Sequence, residues 1–361
     1  MKLKVAVIFG GKSAEHEVSL RSATNIFNAV DRARFTPLLI GVDKNGVWHY
    51  NQNYVTEHVN LAEDDYFAEA TAVCLLHKSG KIQVVSQETN EVLTCLDVVF
   101  PIIHGTYGED GTLQGFLKAM AIPFVGPDVL GSAIAMDKDV AKRLLRDAGI
   151  PIAKFHTIYK YNPFEYSFEK VVASLGLPLF VKPANAGSSV GVSKVMDENA
   201  FKTALLTAFQ YDNKVLVEEA VVGKEVECAV LGNEQVQASV VGEIVPTQDF
   251  YSYDAKYINA DGANLRIPAE IDEAVAEEIR QYAMKAFKTT CCEGMARVDF
   301  FLTKENRLVL NELNTLPGFT EISMYPKLWE ASGISYKDLI TELITLSLLR
   351  DNRDSELLTE G

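Results

Sequence analysis

The sequence is short of positive charge and of long apolar runs, and each shortage excludes a class of protein. Among its 361 residues, 34 are Lys or Arg and 49 are Asp or Glu, so the formal net charge is −15. This acidic surplus argues against broad binding to nucleic acid or to an anionic membrane surface, since both need a basic face. No apolar run reaches the ~18 residues that a transmembrane helix needs. We therefore expect neither a nucleic-acid partner nor a membrane partner.

Paired cysteines are also missing. The five cysteines are an odd number and none stands in a CxxC pair, although Cys291 and Cys292 are adjacent. This pattern predicts reduced thiols and a cytoplasmic protein. The opening segment MKLKVAVIFGG has only a short apolar stretch and no small-residue cleavage site. It therefore predicts a first strand rather than a signal peptide.

What the sequence does contain is an alternation of short buried strands and amphipathic helices. Strands are predicted at 5–9, 37–42, 73–76 and 98–103, and residues 43–72 are polar and predicted to be irregular. The alternation predicts an open parallel α/β sheet over the first ~125 residues. The later patterns are α+β in character.

The length suggests two or three domains, because 361 residues exceed what one small core supports. We predict an N-terminal α/β unit over residues 1–127, a central α+β unit over 128–220 and a C-terminal α+β unit over 221–361. The segment 335–349 is predicted to be a helix that packs on the outside.

The strongest chemical pattern is a pair of strands near the C-terminus, ARVDFFLT at 296–303 and RLVLNELN at 307–314. Because alternate residues of a strand share a face, Arg297 lies on the same face as Asp299, and Glu312 on the same face as Asn314. A hairpin folded about residue 305 puts Asp299 opposite residues 311–312. Oxygen ligands without His or Cys suit Mg²⁺, which usually bridges phosphates when few carboxylates hold it. A solvated strand face with alternating charge is the alternative.

A Gly/Ser-rich loop forms the second pattern, VKPANAGSSVG at 181–191. A buried strand delivers Lys182, and the small residues after it let backbone N–H groups approach phosphate oxygens. The Walker A motif is absent, since it needs GKS or GKT at the start of a helix. A flexible turn without a ligand is the alternative interpretation of this loop. The phosphate interpretation depends on the lysine at the loop entrance.

The third pattern, GGKSAEHEVS at 10–19, lies where the first strand ends and a helix begins. It lacks the GxGxxG fingerprint of dinucleotide binding. Glu15 at this crevice is suited to holding an ammonium group. A favourable charge in the first turn of the helix is the competing interpretation.

Together these motifs resemble the D-alanine–D-alanine ligases of the ATP-grasp superfamily. HGTYGEDGTLQG at 104–115 is similar to the family's first signature, and GMARVDFFL followed by LNELNTLPG at 310–318 is similar to the second. EHEVS, MDK at 136–138, VKP…GSSVG and YDAKY at 253–257 follow in the family's order. The resemblance implies an ATP-grasp fold with ATP between the central and C-terminal units.

The resemblance also implies a nucleotide-binding set, which comprises Lys138, Lys182, Ser189, Glu218, Glu219, Val221, Glu225 and Lys256. Lys138 and Lys182 would contact the phosphates, Glu218 the adenine amino group and Glu225 the ribose. The implied metals are two Mg²⁺ ions, with Mn²⁺ as a substitute, and their ligands would be Asp299, Glu312 and Asn314.

For the amino-acid substrates, the implied catalytic set is Glu15, Ser188, Tyr257, Arg297 and Gly318, and the implied binding set is Glu15, His104, Arg297, Ser323 and Met324. Glu15, steadied by Ser188 and Tyr257, would hold the amine of the first D-alanine. Arg297 and the Gly318 N–H would stabilise an oxyanion. Ser323, the Met324 backbone and Lys256 would receive the second carboxylate.

The implied activity is ATP-dependent ligation of two D-alanine molecules through an acyl phosphate, supplying a peptidoglycan precursor. The resemblance further implies a homodimer and a lid around residues 249–257. The alternatives are a sister ligase that uses D-lactate or D-serine, another ATP-dependent carboxylate–amine ligase, and a non-catalytic nucleotide-binding module. Tyr257 favours an amine acceptor. His104, Tyr257 and a water all remain candidates for the base.

Overall fold

A computed structural model describes residues 2–13, 15–54, 58–163, 166–246 and 263–357. Within these ranges the strands form three sheets, and helices pack against them. The segment predicted to be a lid, with Lys256 and Tyr257, lies outside the described residues.

The first sheet has seven strands in the order β6-β5-β4-β3-β2-β1-β7. Its elements are β1 (Leu3–Gly10), α1 (His16–Ala29), β2 (Phe35–Val42), β3 (Trp48–Tyr50), β4 (Thr71–Lys78), β5 (Lys81–Ser86), β6 (Val92–Leu96), β7 (Val98–Pro101) and α2 (Thr112–Ala119). Only β2, β1 and β7 run parallel, and β3 to β6 add antiparallel strands. The predicted parallel sheet is therefore one end of a larger mixed sheet. The prediction is wrong for residues 73–76, which lie in the antiparallel strand β4. Ser79 and Gly80, both with positive φ, make the tight turn that permits the β4–β5 hairpin.

The second sheet has four antiparallel strands in the order β10-β9-β11-β8. This region comprises α3 (Val129–Met136), α4 (Lys138–Asp147), β8 (Phe155–Tyr159), α5 (Phe168–Leu175), β9 (Leu179–Pro183), β10 (Ser193–Val195), α6 (Glu198–Ala208) and β11 (Lys214–Glu219). Asp137 caps α4, because its side chain accepts hydrogen bonds from the N–H groups of Asp139 and Val140. This cap places Lys138 at the first position of the helix.

The third sheet is antiparallel, with five strands in the order β14-β13-β12-β15-β16. This region comprises β12 (Lys224–Gly232), β13 (Gln237–Pro246), β14 (Ala263–Arg266), α7 (Glu273–Thr289), β15 (Gly294–Leu302), β16 (Leu308–Asn314), α8 (Met324–Ala331) and α9 (Tyr336–Ser355). The β15–β16 hairpin at its edge carries the predicted metal ligands.

Helix α9 does not pack on the outside, so that prediction is wrong. Its residues Leu339, Ile340, Leu343 and Ile344 are at most 1% exposed and belong to the core that also contains residues of β1. Arg350, near the end of α9, donates hydrogen bonds to the carbonyls of residues 126 (2.5 Å) and 124 (2.6 Å). The first sheet and the last helix are therefore parts of one packed unit.

The five cysteines are free thiols. In the parts of the chain that the structure describes, no helix has the length and apolarity needed to cross a bilayer.

Candidate active site

A cleft of about 420 Å³ lies between the second and third sheets. Every described member of the predicted nucleotide set lines it: Lys138, Lys182, Ser189, Glu218, Glu219, Val221 and Glu225. Its size falls in the usual range for small-molecule sites. The remaining member of that set, Lys256, lies beyond the described residues.

The Gly/Ser-rich loop crosses one wall of the cleft between β9 and β10. Ser188 (φ 50°) and Ser189 (φ 59°) are consecutive non-glycine residues in the left-handed region, a strained conformation that costs about 1–3 kcal/mol per residue. The N–H of Val190 closes the turn onto the Gly187 carbonyl at 3.1 Å. Lys138 Nζ donates to the Ala186 carbonyl at 2.8 Å and so anchors the start of the loop.

Three buried charged groups stand at the back of the cleft, and we call them the buried triad: Lys142, Lys182 and Glu218. Lys182 Nζ lies 2.7 Å from Glu218 Oε2, and Lys142 Nζ lies 3.1 Å from Glu218 Oε1. Burial works to raise the pKa of Glu218, but the charges of the two lysines outweigh it, so the pKa is lowered. The carboxylate is thus held ionised.

Sequence reasoning missed Lys142. It lies four residues after Lys138 on α4, and this spacing puts both lysines on one face of the helix. That spacing was the available signal. Burial lowers the pKa of Lys142, Glu218 partly offsets this, and Lys182 adds to the lowering.

The β15–β16 hairpin brings together the predicted metal ligands and Arg297, and we call Arg297, Asp299, Glu312 and Asn314 the hairpin cluster. Asp299 pairs with Glu312 across the two strands, and Arg297 with Asn314. Beyond Asp299 the register shifts, and Phe300 pairs with position 310. The bulge leaves residue 311 without a cross-strand partner in this ladder, and it selects Glu312 from the two predicted positions.

Arg297 is held by two carboxylates. Its Nε and Nη2 donate to the two oxygens of Asp299 at 2.8 Å each, and Nε also lies 2.8 Å from Glu227 Oε2. Glu227 on β12 is buried, pairs with Asp299 across the strands and was not predicted. The alternation of Glu225 and Glu227 along β12 was the signal for it.

The hairpin cluster fits a hard divalent cation. Asp299, Glu312 and Asn314 supply oxygen donors, and each is partly open to solvent. Asn314 Nδ2 donates to Asp299 Oδ2 at 2.9 Å, which leaves the amide oxygen available to a metal. Among the described residues no group of three or more His, Cys, Asp or Glu side chains forms a cage. A bound cation would therefore need ligands from a partner such as phosphate.

A smaller cavity of about 90 Å³ adjoins the hairpin cluster and is lined by Arg297, Gly318, Ser323 and Met324, among others. Ser323 is the N-cap of α8, so the N-terminal N–H groups and positive dipole end of that helix favour a carboxylate. A Cβ at Gly318 would lie 2.8 Å from Ser323 Oγ, so only glycine fits there without a shift.

Glu15, His104 and Ser188 form a second group, the loop cluster. The Ser188 hydroxyl donates to Glu15 Oε1 across 173 positions of sequence. His104 Nδ1–H donates to the Leu316 carbonyl at 3.0 Å. Burial works to lower the pKa of His104, but the hydrogen bond and charge of Glu109 and the charge of Glu15 outweigh it, and the pKa is raised. Tyr257, the other predicted partner of Glu15, is not among the described residues.

Comparisons with known proteins identify the family of this chain. Residues 4–127 match the profile of the D-ala D-ala ligase N-terminus, and residues 144–345 match that of the D-ala D-ala ligase C-terminus. The chain is 54% identical to a D-alanine–D-alanine ligase of Oceanobacillus iheyensis, over 99% of this chain and 98% of that protein. It is also 54% identical to D-alanine–D-alanine ligase A of Escherichia coli K12, over 99% of each.

Solved structures give the same result. The D-alanine-D-alanine ligase of Coxiella burnetii superposes with a TM-score of 0.87 at 36% identity, over 98% of this chain and 96% of that one. The VanG D-Ala:D-Ser ligase of Enterococcus faecalis superposes with a TM-score of 0.85 at 36% identity, over 96% and 100%. The predicted fold class is confirmed, and the chain belongs to the D-alanine–D-alanine ligase family.

Proposed function

We propose that this protein joins two molecules of D-alanine into D-alanyl-D-alanine while ATP is converted to ADP and phosphate, supplying a precursor of peptidoglycan. One observation gives the main support for the proposal. Glu312 lines both the large cleft and the smaller cavity, and its Oε2 lies 3.5 Å from Lys138 Nζ. The wall between a nucleotide cleft and an amino-acid cavity is where a phosphoryl group has to pass.

The first step activates a carboxylate, which is a poor electrophile because its charge must be neutralised and it has no leaving group. Lys138 and Lys182 would hold the phosphates of ATP, and transfer of the γ-phosphoryl group to the first D-alanine gives an acyl phosphate. Two Mg²⁺ ions, or Mn²⁺ in their place, held by Asp299, Glu312 and Asn314, would neutralise phosphate charge. Glu15 would hold the ammonium group of the first D-alanine.

In the second step the amine of the second D-alanine attacks the acyl phosphate. Ser323, the Met324 backbone and Lys256 would hold its carboxylate at the N-terminus of α8. The tetrahedral oxyanion would lie near Arg297 and the Gly318 N–H, and one such donor is typically worth about 2.7–4 kcal/mol of barrier. Phosphate then leaves, and the proton that the attacking amine gives up passes to His104, Tyr257 or a water. Because acyl phosphates hydrolyse, water must be excluded. We propose residues 249–257 as the lid, on the family resemblance.

The acceptor is tested by measuring ADP release with D-alanine, with D-alanine plus D-lactate, and with D-alanine plus D-serine, and by identifying each product by mass spectrometry. We expect D-alanyl-D-alanine as the main product in every arm. Turnover that depends on D-lactate or D-serine would overturn the assignment of the acceptor. Absence of ATP-dependent dipeptide in all arms would overturn the proposed function.

Three accompanying proposals concern organisation. The units 1–127, 128–220 and 221–361 are supported by the three sheets, whose strands fall within 3–101, 155–219 and 224–314. Helix α9 of the third unit shares the core of the first, so these two units pack as one body. A cytoplasmic location is supported by the use of ATP, and a homodimer by the family resemblance alone. Light scattering during size-exclusion chromatography tests the dimer, and a mass of one chain, 39.8 kDa, would contradict it.

A further inference from the structure

We propose that Lys142 is a positioning residue, the standing counter-ion of Glu218 that frees Lys182 to bind the phosphates of ATP. The inference rests on the proposed function, in which Lys182 meets phosphate and Glu218 meets adenine. It adds a residue that neither the motifs nor the cleft lining includes.

The three members of the buried triad differ in their access to the cleft. Lys182 and Glu218 line it, whereas Lys142 is absent from its lining and has a side chain that is 1% exposed. Glu218 lies between the two ammonium groups, at 3.1 Å from Lys142 and at 2.7 Å from Lys182. Lys142 is therefore behind the wall of the cleft, in contact with Glu218 but out of reach of a ligand.

An isolated pair of Lys182 and Glu218 would oppose the binding of ATP. Lys182 lies closer to Glu218 than Lys142 does, and it must turn toward the phosphates when ATP binds. A buried carboxylate that loses its only partner is strongly destabilised, so a two-member pair would oppose the departure of Lys182. With Lys142 in place, Glu218 keeps a counter-ion throughout, and the departure of Lys182 is not opposed by an unpaired buried charge.

The net charge of the buried triad supports the same role for Lys142. Two ammonium groups and one carboxylate leave the triad with an excess positive charge at the back of a cleft that has to receive a polyanion. Glu312, which lies on the neighbouring wall, also attracts Lys142. A purely structural ion pair would need only one lysine.

The test compares the affinities of ATP and adenosine, because adenosine has the adenine that Glu218 would recognise but no phosphate. Dissociation constants are measured by calorimetry without D-alanine, for wild type and for K142M. If Lys142 frees Lys182, K142M weakens ATP about tenfold or more and adenosine by less than threefold, since a charged hydrogen bond is worth about 1.5–3 kcal/mol. Equal weakening of both ligands, or of neither, would overturn the proposal.

A second variant covers the case in which K142M fails to fold. K142M/E218Q removes both buried charges, buries no unpaired carboxylate and leaves nothing to hold Lys182. We expect the ratio of adenosine to ATP dissociation constants to return to the wild-type value or above. A ratio as low as that expected for K142M would contradict the inference.

R143M is the matched control. It removes a cation from the next position of α4, where the Arg143 guanidinium pairs with Asp139 at 2.7 Å and is half exposed. Both dissociation constants should stay within twofold of wild type, and a selective loss of ATP in R143M would mean that α4 acts through its net charge, which overturns the proposal for Lys142. Dipeptide formation by wild type tests the proposed function separately, because no D-alanine is present in these titrations.

Discussion

The hairpin cluster and the loop cluster face the same site but are built in opposite ways. In the hairpin cluster, Asp299 and Asn314 are 15 positions apart and joined by one turn. In the loop cluster, Glu15 and Ser188 are 173 positions apart and meet only where the first sheet approaches the β9–β10 loop. Local strand register preorganises the hairpin cluster, whereas docking of separate regions creates the loop cluster. The hairpin cluster should therefore keep its geometry whether or not the first sheet docks on the β9–β10 loop. The loop cluster should form only when they dock.

The largest effect should come from the hairpin cluster. E312Q removes a charge while keeping the shape of the side chain, and we expect kcat to fall about 10²–10³-fold, the range found when one preorganised charge-stabilising group is lost. Thermal unfolding should be unchanged, because strand pairing does not depend on this carboxylate. E305Q, in the exposed turn of the same hairpin, is the matched control. Unchanged turnover in E312Q would contradict the metal assignment. A lower unfolding temperature in E312Q would contradict the prediction that the hairpin holds its shape without this carboxylate.

The next effect tests the loop cluster. E15Q should raise the KM for the first D-alanine about 10–100-fold, since a hydrogen bond to a charged group is worth about 1.5–3 kcal/mol. The dissociation constant of ATP should change less than twofold. E17Q, which alters an exposed glutamate on the same helix, should leave both constants unchanged. A large loss of ATP affinity in E15Q would show that the two clusters are not separable.

A smaller effect is expected at Ser188, where two variants distinguish the role of the hydroxyl from that of the strained backbone. S188A and S188G both lose the contact to Glu15, so both should raise the KM for D-alanine about three- to tenfold. Because the residue has φ 50°, where glycine is unstrained, S188G should be more stable than S188A by about 1 kcal/mol in urea unfolding. Greater stability of S188A would contradict the left-handed conformation. Equal KM values for wild type and both variants would remove Ser188 from the loop cluster.

The smallest effect is a pH dependence. The pKa of His104 is raised in the folded protein, so its contribution to the free energy of unfolding is fully present below the unfolded pKa near 6.5 and is lost as the pH rises through the folded pKa. The difference between wild type and H104Q should therefore shrink from pH 6 upward.

The control has the opposite sign. Burial lowers the pKa of His156, so its contribution is lost as the pH falls. The difference between wild type and H156Q should grow as the pH rises from the lowered folded pKa to the unfolded value near 6.5, on the acid side of the window for His104. Parallel pH profiles for the two variants would contradict the assigned environment of His104.

The same contrast separates what the sequence predicts from what it does not. Period-two alternation predicts which faces of β15 and β16 carry the charged groups. It does not decide whether residue 311 or Glu312 lies opposite Asp299, because the position of a bulge depends on how the hairpin packs rather than on the alternation pattern. The lysine at position 142 was missed because the helix face was traced through apolar residues, and its partner Glu218 is 76 positions away.

The remaining misses have the same cause. The antiparallel strands β3, β5 and β6 are short and weakly patterned, so residues 43–72 and 77–97 give little periodic signal. The burial of helix α9 could not be predicted, because its partners include α1 and β7, more than 200 positions earlier in the chain. Motifs indicate the chemistry of such positions, but burial there is decided by tertiary contacts.

The core shared by β1 and α9 has a consequence for synthesis on the ribosome. The first sheet is complete by residue 101, yet one side of it waits for residues 339–344. At about 5–20 residues per second, the roughly 240 residues that separate them take about 12–48 s to appear. During that interval an apolar face is uncovered, so the nascent chain is a natural client for a holding chaperone until its last helix emerges.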